Sequence, residues 1–257
     1  MSIIGLINIV IVNIIAWVAL SYFWSFWTHR LFKPWLWLEL RKRKLIAASV
    51  ERGERRFKDR ARYYSIFFAM EQVERAEVAG SFVMAGLEEA EIIGLLRTQC
   101  PEREIWAIGP MEATSVTLAH ENCQGQVTEE SVDVDFVAEA DVRRLLPEGD
   151  KNHLIKGGVA NGVAQVSGPV ALGLVDCVEY EGVLASLQAI YPLLPPGGVV
   201  IIHSYNHSWG GVRSAVDRFL AGVPEGMVPL PDMYGSVAIV RNKQREDKGR
   251  QEAGTAQ

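Results

Sequence analysis

Cysteine is scarce in this 257-residue chain: Cys100, Cys123 and Cys177 are all there is, an odd number without metal-ligand or C-x-x-C spacing. That excludes a disulfide framework and points to a reducing compartment. No GKS or GKT phosphate loop is present, and no G-x-S-x-G nucleophile turn, so neither a P-loop nucleotidase nor a serine hydrolase is indicated. Positive charge is thin over most of the chain. Tyr63 to Gln257 hold 14 Lys and Arg against 27 acids, a net of −13, which repels phosphate backbones and makes nucleic acid an unexpected partner. Charge of either sign is missing from residues 1–27.

What fills that uncharged stretch is IIGLINIVIVNIIAWVALSYFWSFW from Ile3 to Trp27, long enough as a helix to exceed the roughly 30 Å of a bilayer core. It lacks the basic start, short apolar core and small-residue cleavage site of a secretory signal, so residues 1–27 are expected to be a retained transmembrane anchor. Trp24, Trp27, Trp35 and Trp37 supply interfacial aromatics, and Arg41-Lys42-Arg43-Lys44 marks the cytoplasmic side. The expectation is a single-pass protein of a bacterial-type inner (cytoplasmic) membrane, N-terminus out, with its C-terminal domain in the cytoplasm. Asn8 and Asn13 lie inside the span, where a side-chain amide wants a partner. Either they pair with a neighbouring helix or Asn8 reaches the headgroups. Residues 28–62 carry 12 Lys and Arg against four acids, a net of +8. This stretch is expected to be an exposed, basic juxtamembrane connector near anionic headgroups, with Leu31 to Leu40 in the interface plane or simply continuing out of the anchor.

From Tyr63 to Asn242 the pattern is α/β. A helix with an apolar stripe (63–76) is followed by strand 81–85, helix 87–98, strand 104–108, an irregular polar stretch, helix 137–146 and strand 153–156. Then comes VALGLVDCVEYEGVLASLQAIYPLLPPGGVVIIHSYNHSWGGVRSAVDRFL from Val170 to Leu220, which reads strand, helix, strand, helix. Short Val/Ile/Leu runs without alternation fit parallel strands covered on both faces. Gly157, Gly158, Gly162 and Gly168 lie in a loop, and 235–240 reads as a last, antiparallel strand at the far side of the sheet. Residues 243–257 lack large apolar side chains and are expected to be a disordered tail. In open sheets of this kind ligands sit beyond the strand carboxyl ends, which puts Asp176 and the His203–His207 segment on one rim.

This order, with AGSFVMAGL, EIWAIG, NHLIKGG, the YE-helix, the PGG turn and WGGVRSAVDRFL, resembles the macrocin O-methyltransferase family of S-adenosylmethionine-dependent enzymes. The resemblance covers about Tyr63 to Asn242 and implies a Rossmann-like seven-stranded methyltransferase sheet with flanking helices. It also implies a site in three parts, and this chain departs from each. The family's first strand runs VE-x-G-V-x-x-G-G, with an acid and bare backbone for the methionine end of the cofactor. Here Gly86 is kept, but Met84 stands at the acid and Ala90 and Glu91 at the two glycines. The second strand should end in an acid that holds the ribose hydroxyls, and here it ends in Gly109-Pro110. The metal-binding acids, D-x-D-x-Y-E and D-D-Y in the family, are reduced to Asp176, with Tyr180, Glu181 and Tyr205 kept and Val178, His203 and Ser204 substituted. A hard cation wants several carboxylates, and one is too few.

Asp176, His203 and Tyr205 are therefore vestigial rim candidates rather than a catalytic set, and Gly86 and Gly109 vestigial cofactor positions. Asp176 with His203 and His207 could form a softer metal site or a carboxylate-oriented base, but a third ligand and a nucleophile are lacking. The plain alternative is a rim-bonded His203 and a solvated His207. Cys177 reads as a small core residue, and His29, His120 and His153 have no partner visible in sequence. The reading carried forward is a membrane-anchored, methyltransferase-like pseudoenzyme that needs no cofactor or metal and serves as an accessory or scaffolding subunit of a membrane protein complex. Its partners are the lipid bilayer and other membrane subunits, with Asn8, Asn13, Trp24, Trp27, Trp35 and Trp37 as contact candidates. Two alternatives stand beside it: an active O-methyltransferase using S-adenosylmethionine at the cytoplasmic face, and a binding module for another small ligand in the same rim.

Overall fold

The computed structural model describes residues 3–31, 33–87, 89–111, 114–121, 127–134, 137–206 and 210–242. The expected tail 243–257 and His207 lie outside these, as do the side chains of Trp27, His29 and His120. Two compact units emerge, Met1–Leu45 and Ile46–Gln257.

The first unit holds helix α1 (Ile3–Leu31) and helix α2 (Trp35–Lys42), the latter starting directly after Pro34, whose fixed φ suits a helix entrance. Within α1 the stretch Ile3–Trp24, 22 residues of mean hydropathy 2.6, is long and apolar enough to cross a membrane. Asn13 donates its amide to the Ile9 carbonyl at 2.8 Å, so part of its hydrogen-bonding need is met inside its own helix. Trp24 and Trp35 are exposed, whereas Trp37, grouped with them from the sequence, is buried.

The second unit begins earlier than Tyr63. Helix α3 (Ala48–Arg56) and the first turn of helix α4 (Arg60–Arg75) belong to it, because Ile46, Val50 and Phe57 are buried, each worth about 1.5–3 kcal/mol. Gly53 lets α3 approach α4, where a Cβ would meet the Tyr63 hydroxyl, and that hydroxyl donates to the Val50 carbonyl at 3.0 Å. Tyr64 donates to buried Glu54 at 2.8 Å. Residues 46–62 are thus an integral, partly buried cap of the domain and not an exposed connector.

The sheet has seven strands: β1 (Ser81–Ala85), β2 (Ile105–Gly109), β5 (Asn152–Lys156), β6 (Val170–Val175), β7 (Val199–Ile202), β8 (Met227–Pro229) and β9 (Val237–Val240). They lie in the order β5-β2-β1-β6-β7-β9-β8, with the first five parallel and β9 antiparallel to both neighbours. The expected final strand is antiparallel but inner. The edge beyond it is β8, too short and proline-interrupted to stand out in sequence. Helices α4 and α5 (Ala90–Gln99) cover one face; α7 (Val159–Val163), α8 (Tyr180–Ile190) and α9 (Gly210–Leu220) cover the other, closing a core that includes Val83, Ala85, Ile108, Val183 and Val216. Helix α6 (Glu139–Leu145) packs on α5, and α7 occupies part of the glycine-rich stretch expected to be loop. The PGG turn is pinned to the end of β9: Gly197, at φ +89°, donates to the Arg241 carbonyl, and Arg241 donates back to Gly198, both at 2.8 Å.

The stretch expected to be irregular between β2 and α6 holds an antiparallel pair, β3 (Thr114–Glu121) and β4 (Val127–Val134), paired from Thr114↔Val134 to Glu121↔Val127. It leaves the sheet at the β2 carboxyl end and β3 reaches α9, the helix after β7, so the pair spans the rim side of the sheet.

Candidate functional site

Strand order reverses between β1 and β6, and at such a switch point the carboxyl ends of an open sheet form a crevice where ligands bind. Here the two ends converge tightly. The backbone ladder runs one residue past each strand: Asp176 donates to the Ala85 carbonyl at 2.6 Å, Gly86 to Ile108 at 2.8 Å and His203 to Val175 at 2.9 Å. Gly86 sits at φ +101°, and a Cβ there would overlap the Asp176 carbonyl. Its lack of a side chain therefore serves a backbone approach between β1 and β6. Gly109 plays a similar part at the β2 end, where a Cβ would lie 3.2 Å from Leu87, a fully buried side chain. Met84 is also fully buried.

Asp176 lies at the centre of the rim with only 1 % of its side chain exposed. Its Oδ1 is 2.8 Å from Nη2 of Arg62, itself 6 % exposed, in the first turn of α4. The two charges touch, but the contact is off the hydrogen-bonding direction: neither Asp176 oxygen accepts a hydrogen bond among the described residues. Arg62 also packs its guanidinium over the Phe57 ring at 5.7 Å. Glu89, just before α5, lies in the field of both. Burial pushes its carboxyl up, Arg62 opposes this, and Asp176 adds to it.

The turn of α4 that carries Arg62 is itself fastened. Asp59 caps it, accepting from the Arg62 amide at 3.2 Å, and its other oxygen accepts from the Met233 amide at 2.7 Å in the connection between β8 and β9. Burial raises the Asp59 pKa, while these two backbone donors pull it back. Next door, His203 Nδ1 lies 2.9 Å from the Ser236 hydroxyl and its ring meets Tyr234 edge-on at 5.4 Å. Ser204 follows in left-handed backbone at φ +60°, a conformation that costs a non-glycine residue about 1 kcal/mol or more. Tyr205 donates to Asp217 at 2.7 Å under the Arg213 guanidinium, and burial together with that bond pushes its phenol up to about 12.

The rim candidates are thus close in the fold but are not assembled into one cluster. Asp176 faces Arg62, His203 faces Ser236 and Tyr205 faces Asp217, and among the described residues no hydrogen bond joins the Asp176 carboxylate to His203, the pairing the sequence offered as an alternative. Among the described residues no three His, Cys, Asp or Glu side chains converge as a metal site would require. Elsewhere His153 finds the partners that the sequence did not reveal, Glu104 at 2.6 Å and the stacked ring of Trp106 at 4.1 Å. Arg62 and Asp59 were missed as rim residues. The available signal was Asp59 three residues ahead of Arg62 and just before the apolar stripe of α4, an N-cap pattern.

Residues 52–227 match the family described as Macrocin-O-methyltransferase (TylF). The chain belongs to that family. Among solved structures it is similar to the O-methyltransferase NovP, at TM-score 0.58 and 19 % identity over 72 % of this chain and 81 % of that one. It is also similar to CalS11, a calicheamicin methyltransferase, at TM-score 0.52 and 18 % identity over 70 % and 79 %. Both likenesses lie in the fold. No curated protein matches.

Against this family's cofactor, S-adenosylmethionine, the residues present do not fit. The β1 position that should offer an acid is buried Met84, Leu87 fills the space beside Gly109, and β2 ends in Gly109-Pro110 without an acceptor side chain. At the start of α5 stand Glu89, which lies in the field of Asp176, and Glu91, which adds an acid where the family pattern leaves bare backbone for a carboxylate.

Proposed function

We propose that this protein is a non-catalytic member of the macrocin O-methyltransferase family, anchored in a membrane by α1 and acting as an accessory or scaffolding subunit of a membrane protein assembly. The observation that carries the reading is the buried Arg62–Asp176 contact: the one acid retained from the family's metal site is engaged by a cation belonging to the chain itself. A guanidinium so placed neutralises Asp176 without offering the open coordination positions that a metal supplies to a substrate hydroxyl. The emptied β1 and β2 ends support the same conclusion for the cofactor.

Anchoring is supported by the 22-residue stretch Ile3–Trp24, of mean hydropathy 2.6 and about 33 Å as a helix, which exceeds the roughly 7–15 residues of a signal-peptide core. The Arg41–Lys44 cluster favours the cytoplasmic side for the domain. Calorimetric titration of the detergent-solubilised protein with S-adenosylmethionine tests the central claim, with no binding expected. Micromolar affinity, or methyl transfer from labelled cofactor that disappears in Asp176→Ala, overturns it in favour of an active enzyme. Purification from the native membrane in mild detergent should bring other membrane subunits with it.

A further inference from the structure

Between Ala221 and Tyr234 every exposed side chain is uncharged: Glu225 is buried at 7 % exposure and Asp232 is half-buried, its Oδ1 bonded to the Ser236 amide. The same stretch presents Met233 at 71 % exposure, Val228 at 55 %, Tyr234 at 39 % and Met227 at 37 %, around the open edge of β8. A run of exposed apolar side chains beside an unpaired strand edge marks an interaction surface. The Met233 amide is held 2.7 Å from Asp59, so this apolar edge adjoins Lys58, which is exposed, at the end of the most basic part of the chain.

We propose that this edge, with Met233 and Tyr234 as its apolar tip and Lys58 beside it, docks on the surface of an anionic lipid bilayer. Apolar tips flanked by cations suit the boundary between headgroups and acyl chains. The charge selects the partner: the edge has the exposed cation Lys58 beside it and no exposed acid between Ala221 and Tyr234, which suits an anionic surface, whereas a symmetric second copy would set Lys58 against its own equivalent. Chain continuity strengthens the case, since Ile46 follows directly on the unit that contains the membrane-length helix. Once one contact is made, the second is intramolecular and needs little affinity of its own. The proposal rests on the anchoring reading above but not on the lack of catalysis.

The test replaces Met233 with a photoreactive diazirine amino acid in the full chain, reconstituted in nanodiscs of phosphatidylcholine with or without phosphatidylglycerol. Irradiation should give lipid adducts in the anionic discs, and Lys58→Gln should weaken docking about fivefold. Equal lipid yield in pure phosphatidylcholine, cross-links to a second copy, or no adduct each overturn the proposal. Resistance of the unlabelled protein to alkaline carbonate extraction reports on α1 separately, so loss of the anchor is distinguishable from failure of the docking edge.

Discussion

Removing one member of the Arg62–Asp176 pair should cost far more than removing both. With side-chain exposures of 6 % and 1 %, neither charge can be hydrated in place. Arg62→Met, which keeps the aliphatic volume, leaves the Asp176 carboxylate buried without its cation, and losses at such sites run to about 3–5 kcal/mol. Asp176→Leu leaves the guanidinium in the same position and should lose a similar amount. A domain has about 5–15 kcal/mol in all, so either single change removes a large fraction of the folding free energy. The double variant Arg62→Met/Asp176→Leu should recover nearly all of it, because both desolvation penalties vanish together. A small deficit should remain, because Arg62 also offsets the burial of the Glu89 carboxyl and packs over the Phe57 ring. Urea unfolding of the detergent-solubilised chain, followed by near-ultraviolet circular dichroism, measures all four corners of the cycle. If the double variant loses the sum of the two single losses, the pair does not act as a unit. Single losses below about 1 kcal/mol would mean that the charges are solvated after all, as exposed pairs are.

Gly86→Ala should destabilise by about 3 kcal/mol or more, combining left-handed backbone with a Cβ driven into the Asp176 carbonyl, and should lower the thermal midpoint even with no ligand present. Met84→Glu, which restores the acid of the family pattern, should not restore cofactor binding in a titration; it puts a carboxylate into a fully buried position and should cost several kcal/mol. Tyr205 gives an alkaline signature. Its folded-state pKa of about 12 lies above the ordinary 10, so its contribution is fully present below pH 10 and is lost as pH rises through 12. Tyr205→Phe should flatten that part of the alkaline unfolding curve while costing about 1 kcal/mol at neutral pH through the lost bond to Asp217.

The sheet was legible because its parallel strands are buried on both faces and so read as short aliphatic runs, Ser81–Ala85 and Val170–Val175 being the clearest. The hairpin was not. Thr114–Glu121 and Val127–Val134 alternate polar residues with Val, Leu and Thr, a pattern obscured by six acids among residues 112–136, although the β-branched content was a usable signal. The departures from the family's cofactor motifs could be read directly, since Met84, Gly109 and Pro110 are identities rather than contacts. What filled the rim could not: the Asp59 N-cap pattern marks Arg62 as one of 12 basic residues in 28–62 that lies in a first helical turn, but no local signal says which surface that turn docks on. Its role depends on α4 docking with its first turn over the sheet end, a tertiary event fixed by Asp59 binding an amide 174 residues away.

That dependence bears on how such a site closes. A ligand-binding crevice at a switch point holds polar groups that the folded protein alone cannot satisfy, and sites of this kind are maintained against stability. The departure at Met84 acts the other way: it is a fully buried side chain worth about 1.5–3 kcal/mol where the family pattern has an acid, beside a β1–β6 ladder that continues through Gly86 and Asp176. Asp176 alone goes against this trend, a carboxylate kept in a closed rim. Arg62 makes it tolerable, and the capped, tethered turn of α4 holds Arg62 there. The packing around Asp176 therefore depends on residues 57–62 as much as on the strand ends, because Asp59 ties the first turn of α4 to the connection between β8 and β9.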